Sequence, residues 1–394
     1  MGNEPGISRK FRLGIFISTN IRVGAGVERV AKSLIDNADK DLEIHLIQTD
    51  FFDGIRMTSL EYELLSRNCN VVTLQGFNFL HLLKRINFLN GFIIPIANIL
   101  VRLKNRKVLK KINELDAVYL TSNWFCGIFD LKFGTLFGSS HTDFGFSELS
   151  KVSVFKAKLI NAGLLFRKIT AFHTFPGMES MINYLGNKKV GVFPPIGVNT
   201  RKFYPRELED RIKILFVSRL EECKGPLIAI ESFKDLKLSS KIKIELNIVG
   251  EGTMKDKIEK LHADEVICHG GLDEGELNQM YGHCDIFLAP TTCDTFSIVV
   301  LEAFASGMYV LISSFLKGRF DDFINLGYGE YVDPNQKSMS IAIMNAISNI
   351  ELIRSKREDI STFVRNNYDV NVVNKKIINW VRNIYNSDVP KHVD

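Results

Sequence analysis

The sequence predicts an α/β protein made of two doubly wound domains with parallel sheets. Short β-branched runs alternate with amphipathic stretches along the chain, the pattern of strand–helix–strand units. The alternation restarts after Pro194-Pro195. The 394 residues are 45% apolar, more chain than one core organises, because single cores stop growing near ~250–300 residues.

Taken in order, the strand candidates of the first half are Leu13–Ser18, Glu43–Gln48, Val71–Leu74, Ala117–Thr121, Thr135–Ser139 and Val190–Phe193. Those of the second half are Ile212–Val217, Ile244–Val249, Val266–His269, Ile286–Ala289 and Tyr309–Ser313. Between the two sets, Pro195–Arg211 contains Gly197 and Pro205 and reads as the linker. This gives an N-terminal domain over residues 1–200 and a C-terminal domain over 201–370. In the remaining 371–394, Val373, Ile377, Ile378, Val381 and Ile384 recur at helical spacing, so an amphipathic helix is expected, packed back on the N-terminal domain.

Composition excludes several classes. Ten prolines and no low-complexity tract argue against disorder. The first ten residues are polar and the apolar run at Leu13–Ile17 is short, so no secretory signal is expected. No window of about 18 apolar residues occurs, so no spanning helix is expected. The six cysteines show no CxxC or zinc spacing and read as scattered thiols of a reducing cytosol. The net charge of +5 does not call for a nucleic-acid partner, but its distribution is uneven: residues 1–200 carry 25 Lys+Arg against 16 Asp+Glu, the remainder 25 against 29.

Two segments carry chemistry. In Asp285–Ser306 a buried strand ends at Pro290, a small polar loop follows, and a helix starts near Ser297. Such a unit puts free N–H groups and a positive helix end at the sheet's carboxyl edge, where a diphosphate fits, with Asp294 and Glu302 as acceptors for sugar and ribose hydroxyls. An ordinary crossover with Asp294 as N-terminal charge fits the residues equally well. In Ile214–Phe233 a strand ends at Ser218, and Arg219 and Lys224 follow before a helix opened by Pro226. These read either as diphosphate ligands or as two solvated cations.

Together the segments resemble the retaining family 4 glycosyltransferases, which have the GT-B fold. Arg219-Leu220 with Lys224-Gly225, then Ile248-Val249-Gly250-Glu251-Gly252, Gly270-Gly271, Tyr281, Asp285-Ile286-Phe287, the Asp294-to-Glu302 pair and Ser306-Gly307 follow the family pattern in order and spacing. In the first half, Gly24-Ala25-Gly26-Val27-Glu28-Arg29 is similar to the family's G-G-x-E-R loop, and His141 to its active-site histidine. The resemblance implies two Rossmann-like domains facing across a cleft. It implies a retaining transfer of a hexose-type sugar from a nucleoside-diphosphate sugar to a glycan or lipid-linked acceptor, with no cofactor. Neither chemistry-bearing segment holds an Asp-x-Asp metal motif, so no essential metal is expected. It assigns His141, Arg219, Lys224 and Asp294 to catalysis. It assigns Gly26, Arg219, Lys224, Asp294, Phe296, Ser297 and Glu302 to the donor. The sequence departs from the family in having Asp294 for glutamate and Ser297 where many members have glycine. A sugar-nucleotide epimerase or a non-catalytic sugar-nucleotide binder on the same fold is the alternative.

The run His81–Lys111 mixes apolar residues with eight cations, and 151–168 adds five cations and no acid. Either the basic faces are solvated, or they rest on an anionic membrane. The expectation is a cytoplasmic protein, peripheral on the cytoplasmic face of the membrane.

Overall fold

The computed structural model describes residues 9–17, 26–49, 68–75, 98–121, 128–132, 134–139, 169–178, 189–236, 243–261 and 265–388. The chain divides into two compact units, Met1–Ile196 with Asn374–Asp394, and Gly197–Val373.

In the first unit, β1 (Phe11–Phe16), β2 (Leu42–Thr49), β3 (Asn70–Leu74), β4 (Ala117–Leu120), β5 (Thr135–Ser139), β6 (Ala171–Thr174) and β7 (Lys189–Val192) form a seven-stranded sheet in the order β3-β2-β1-β4-β5-β6-β7. Every pairing is parallel. Two of the described helices are α1 (Gly26–Asp36), which follows β1, and α2 (Arg106–Ile112), which precedes β4. The central strands β4 and β5 are buried at every residue, as expected where helices cover both faces of a parallel sheet. The core gathers Phe16, Ile47, Leu74, Val118, Phe129 and Phe172.

The second unit repeats the design. Its strands are β8 (Ile212–Val217), β9 (Ile244–Val249), β10 (Val266–Gly270), β11 (Ile286–Ala289), β12 (Tyr309–Ser313) and β13 (Gly329–Val332), in the order β10-β9-β8-β11-β12-β13 and again all parallel. The helices are α3 (Pro226–Lys234), α4 (Lys255–Glu259), α5 (Glu274–Gly282), α6 (Ile298–Ala305), α7 (Asp321–Asn325), α8 (Gln336–Ser348), α9 (Ile350–Ser355) and α10 (Arg357–Asn367). At the amino edge of β11, Asp285 accepts from Lys213 N–H (2.9 Å) and Arg354 Nε (2.8 Å). Arg357, buried beside it, donates to the carbonyls of Cys284 and Gly282 at 2.6 and 2.7 Å. These charges lock the sheet edge opposite to the one used below.

A last helix, α11 (Val370–Asp388), begins where the second unit ends, and from Asn374 its residues belong to the first. Asn374 Nδ2 donates to Ser33 O at 2.9 Å, Arg382 pairs with Asp41 at 3.0 Å, and the Trp380 ring packs edge-on to Phe137 with centroids 5.2 Å apart.

Two strands, β6 and β13, were absent from the expectation. β6 is interior to its sheet, yet it carries His173 and Thr174, both buried, and polar residues hide it from an apolar-run reading. His173 is satisfied internally: Nε2–H donates to the Phe193 carbonyl (3.0 Å) and Nδ1 accepts from the Tyr119 hydroxyl (2.5 Å). Burial pushes its pKa down to about 4, so the ring sits neutral in the core. β13 is a four-residue edge strand, GEYV, broken by a glycine and a glutamate.

Candidate functional site

In the second unit the chain runs outward from β8 through β9 to β10 on one side, and from β11 through β12 to β13 on the other. The strand order reverses between β8 and β11, and open α/β sheets bind ligands at the carboxyl ends of the strands at such a point. The two segments singled out from the sequence are the loops that leave these two strands. β8 and β11 pair in parallel (Ile214 with Ile286, Leu215 with Phe287), so the loops emerge side by side.

The β8 loop carries Arg219, then a 3-10 turn at Glu222–Lys224, then Gly225. Gly225 has φ +75°, and a Cβ there would lie 2.6 Å from the Pro290 carbonyl oxygen, so only glycine lets this loop press against the other. The β11 loop accepts the contact: Thr292 N–H donates to Cys223 O at 2.8 Å, and the Thr292 hydroxyl to the same oxygen at 3.2 Å. Across this seam Lys224 Nζ meets Asp294 Oδ1 at 2.9 Å, with side chains 12% and 24% exposed. A disulfide between Cys223 and Cys293 spans the same seam, with Cα atoms 5.6 Å apart. The sequence reading paired no cysteines; the pairing joins residues 70 positions apart, which spacing alone does not reveal.

Arg219 is exposed and makes no side-chain hydrogen bond or ion pair among the described residues, so its guanidinium is available to a ligand. The backbone that follows it is held firmly. Leu220 N–H donates to Glu251 O (2.8 Å), Met254 N–H donates to Leu220 O (2.9 Å), and Gly250 N–H donates to Gly270 O (2.8 Å). Glu251 Oε1 accepts from Gly271 N–H at 3.1 Å and Lys255 Nζ at 3.0 Å, contacts that hold its carboxyl below the usual range. The loops after β8, β9 and β10 are thereby laced into one rim.

On the β11 side, Phe296 is buried with its ring 5.2 Å from that of Phe320. Its side chain belongs to the core, and only its backbone is left to face a ligand. Ser297 is the N-cap of α6 and its side chain caps nothing, which leaves the first-turn N–H groups free of a side-chain acceptor. Glu302, one turn in, is buried, and Tyr281 O–H donates to its Oε2 at 3.2 Å. Tyr281 is itself fully buried, stacked on Phe287 and edge-on to Phe203. Arg319, unremarked in the sequence, braces the loop by donating from Nε to Thr295 O at 2.5 Å.

The structure thus brings Lys224 and Asp294 into contact and sets Arg219, Ser297 and Glu302 on the same two strand–loop–helix units. Gly26 opens α1 in the other unit. His141 lies outside the described residues.

Ser297 has φ +60°, the left-handed region that L side chains avoid at a cost of about 1–2 kcal/mol. A glycine at this position would carry no such cost. Ser297→Gly is therefore expected to leave thermal stability unchanged or slightly higher, and Ser297→Val to lose about 2 kcal/mol, since a β-branched residue tolerates positive φ worst. Denaturant unfolding of the two variants checks the ordering.

The two parallel-sheet α/β units have the GT-B fold. Sucrose-phosphate synthase from Thermosynechococcus elongatus matches with a TM-score of 0.72 at 13% identity, over 96% of this chain and 100% of that one. HepE of Anabaena in complex with UDP matches with a TM-score of 0.67 at 15% identity, over 95% and 100%. More narrowly, residues 199–366, the second unit but for its first two residues and its last seven, match the family Glycosyl transferases group 1. Phosphatidyl-myo-inositol mannosyltransferase of Propionibacterium freudenreichii is 28% identical over 169 residues. That stretch is 42% of this chain and 42% of the relative, less than half the length of either.

Proposed function

We propose that the chain is a retaining glycosyltransferase that moves a hexose-type sugar from a nucleoside-diphosphate sugar to a glycan or lipid-linked acceptor. The observation that carries this reading is the Lys224–Asp294 contact at the reversal point between β8 and β11, with Arg219 exposed beside it and Glu302 buried behind. In such a transfer, negative charge builds on the β-phosphate oxygen as the glycosidic bond breaks. Fixed cations and N–H donors aimed at that oxygen lower the barrier. Arg219, Lys224 and the first turn of α6 supply them, without a metal. Asp294, released from Lys224 when the diphosphate takes the ammonium, accepts from the sugar hydroxyls, and Glu302 holds the ribose. His141, Gly26 and the backbone of Phe296 and Ser297 complete the assignment by resemblance. The complex of HepE with UDP supports a nucleoside-diphosphate donor, and the name of the Propionibacterium relative supports a lipid acceptor.

The test is a thermal-shift screen against UDP-, GDP- and ADP-sugars, because a ligand that binds the native state raises its stability by mass action. Donor hydrolysis in the presence of EDTA, and the anomeric configuration of the product by NMR, follow for any donor that binds. No shift with any sugar nucleotide would sink the reading; binding without turnover would favour a non-catalytic binder.

The same reading places the enzyme on a membrane surface through the first unit. No described helix is long and apolar enough to cross a bilayer. Around α2, however, Ile99, Leu103 and Val108 are 58%, 64% and 37% exposed, among the exposed cations Lys104, Arg106, Lys107, Lys110 and Lys111. Each cation near an anionic surface contributes about 1 kcal/mol, so a few suffice for reversible docking. Arg102 is less available, being paired with Asp130 at 2.6 Å. Neutralising Lys104, Arg106, Lys107 and Lys110 together is expected to weaken binding to phosphatidylserine-containing vesicles at least tenfold at low salt, with thermal stability unchanged. Failure of the wild type to sediment with such vesicles would mean that these residues only solvate a helix.

A further inference from the structure

Each cysteine of the disulfide directly precedes a residue placed in the donor site: Cys223 precedes Lys224, and Cys293 precedes Asp294. Both cysteines are exposed, within reach of a small thiol. Cys69 and Cys284 are buried, which pushes the first thiol up to about 11 and raises the second as well, and Cys268 is a free thiol on β10.

We propose that Cys223 and Cys293 form a reversible redox modification site that takes a glutathione-type small disulfide as its oxidant and covalently clamps the two donor-site loops. Closure runs by thiol–disulfide exchange. One cysteine thiolate attacks the small disulfide, forming a mixed disulfide and releasing one small thiol; the second cysteine thiolate then attacks the protein sulfur of that mixed disulfide, closing Cys223–Cys293 and releasing the other small thiol. Two protein thiols lose two electrons and two protons, and one small disulfide becomes two small thiols. Two small thiols reverse the exchange.

The geometry supports reversibility, because the seam does not depend on the bond. The Thr292 N–H to Cys223 O hydrogen bond, the Gly225–Pro290 contact and the Lys224–Asp294 pair hold the same loops together. The reduced thiols therefore stay neighbours, which favours re-closure, and the core of the second unit lies beneath the loops rather than on the bond. What the bond adds is a fixed spacing between the loop that presents Arg219 and Lys224 and the loop that presents Asp294. This consequence rests on the donor-site reading; the modification itself does not.

The experiment equilibrates the full-length protein in graded ratios of oxidised to reduced glutathione, quenches with acid and N-ethylmaleimide, and maps peptides by mass spectrometry. A linked Cys223–Cys293 peptide is expected to appear and disappear reversibly along a two-electron titration. Amide exchange across 219–225 and 290–297 is expected to be at least tenfold slower in the oxidised protein. Cys293→Ser is expected to show the fast exchange at every ratio. Affinity for UDP, GDP or ADP, whichever binds, is expected to be several-fold tighter in the oxidised form. Absence of the linked peptide at all ratios, or identical loop exchange in both forms, overturns the site. Equal nucleotide affinity in both forms overturns its coupling to the donor loops. If no nucleotide binds in either form while linkage and exchange still respond, the donor-site reading fails and the clamp stands.

Discussion

Replacing Lys224 with Ala is expected to lower turnover at saturating donor by about 10²–10³-fold, the loss that follows removal of one preorganised donor to a developing oxyanion. Folding should survive. Lys224 ends a short 3-10 turn outside the core cluster of the unit, so its removal should cost about 1–2 kcal/mol, chiefly through the lost pair with the half-buried Asp294. Arg219→Ala should show a similar kinetic loss with still less effect on stability, because the side chain is exposed and makes no described contact. The split between the constants is informative. Loss confined to KM would mean that the cation only binds the ground state, and that the assignment of Lys224 to the leaving group is wrong. Near-normal turnover by either variant would remove that residue from the site.

The largest effect on stability is expected from Gly250→Ala. Gly250 has φ +142°, and a Cβ built there lies 1.8 Å from the Ser218 carbonyl oxygen, a backbone atom that cannot swing away. Either the β9 loop must move or the end of β8 must, and both carry the lacing that fixes Arg219. A loss of about 3–5 kcal/mol follows from strain of this kind. For a unit of this size that lowers the melting temperature by roughly 10 °C. Gly271→Ala is the control: its Cβ would meet only the Glu251 side chain, at 3.4 Å, and should change stability by less than about 1 kcal/mol. Differential scanning calorimetry of the two variants decides the point. Equal melting temperatures would show that the β8–β9 rim is more compliant than its contacts indicate.

The second unit was the more legible of the two. Five of its six strands are apolar runs bounded by turn residues, and the candidate site residues sit at fixed offsets from strand ends, where local pattern and local geometry coincide. Arg219, Lys224, Asp294 and Glu302 could be found that way because each belongs to a loop–helix unit continuous in sequence. What could not be read were the relations between such units. The pair of Lys224 with Asp294 and the disulfide beside it depend on two parallel strands being neighbours, and the hydrogen bond from Tyr281 to Glu302 on how the helices before and after β11 pack, which no short-range pattern encodes. The cysteines did leave a trace, each one residue ahead of a candidate site residue, but odd thiols in a long chain favoured the free reading. Ser297 illustrates a different limit: its residue type was noted, and its positive φ follows only from how the β11 loop must turn into α6. Strand β6 was missed because a buried histidine with both ring nitrogens satisfied looks, in sequence, like a break.

The partition of the chain also dictates an order of completion during synthesis. The second unit is one uninterrupted stretch, Gly197–Val373, whereas the first needs both Met1–Ile196 and the terminal Asn374–Asp394. On a ribosome, every residue of the second unit is available before the first unit receives its final helix segment, with Trp380 against Phe137 and Arg382 against Asp41. The earlier-made half of the protein is therefore the later one to be finished. A stop codon near residue 374 would spare the second unit and expose the apolar stripe that Ile377, Ile378 and Val381 cover in the first.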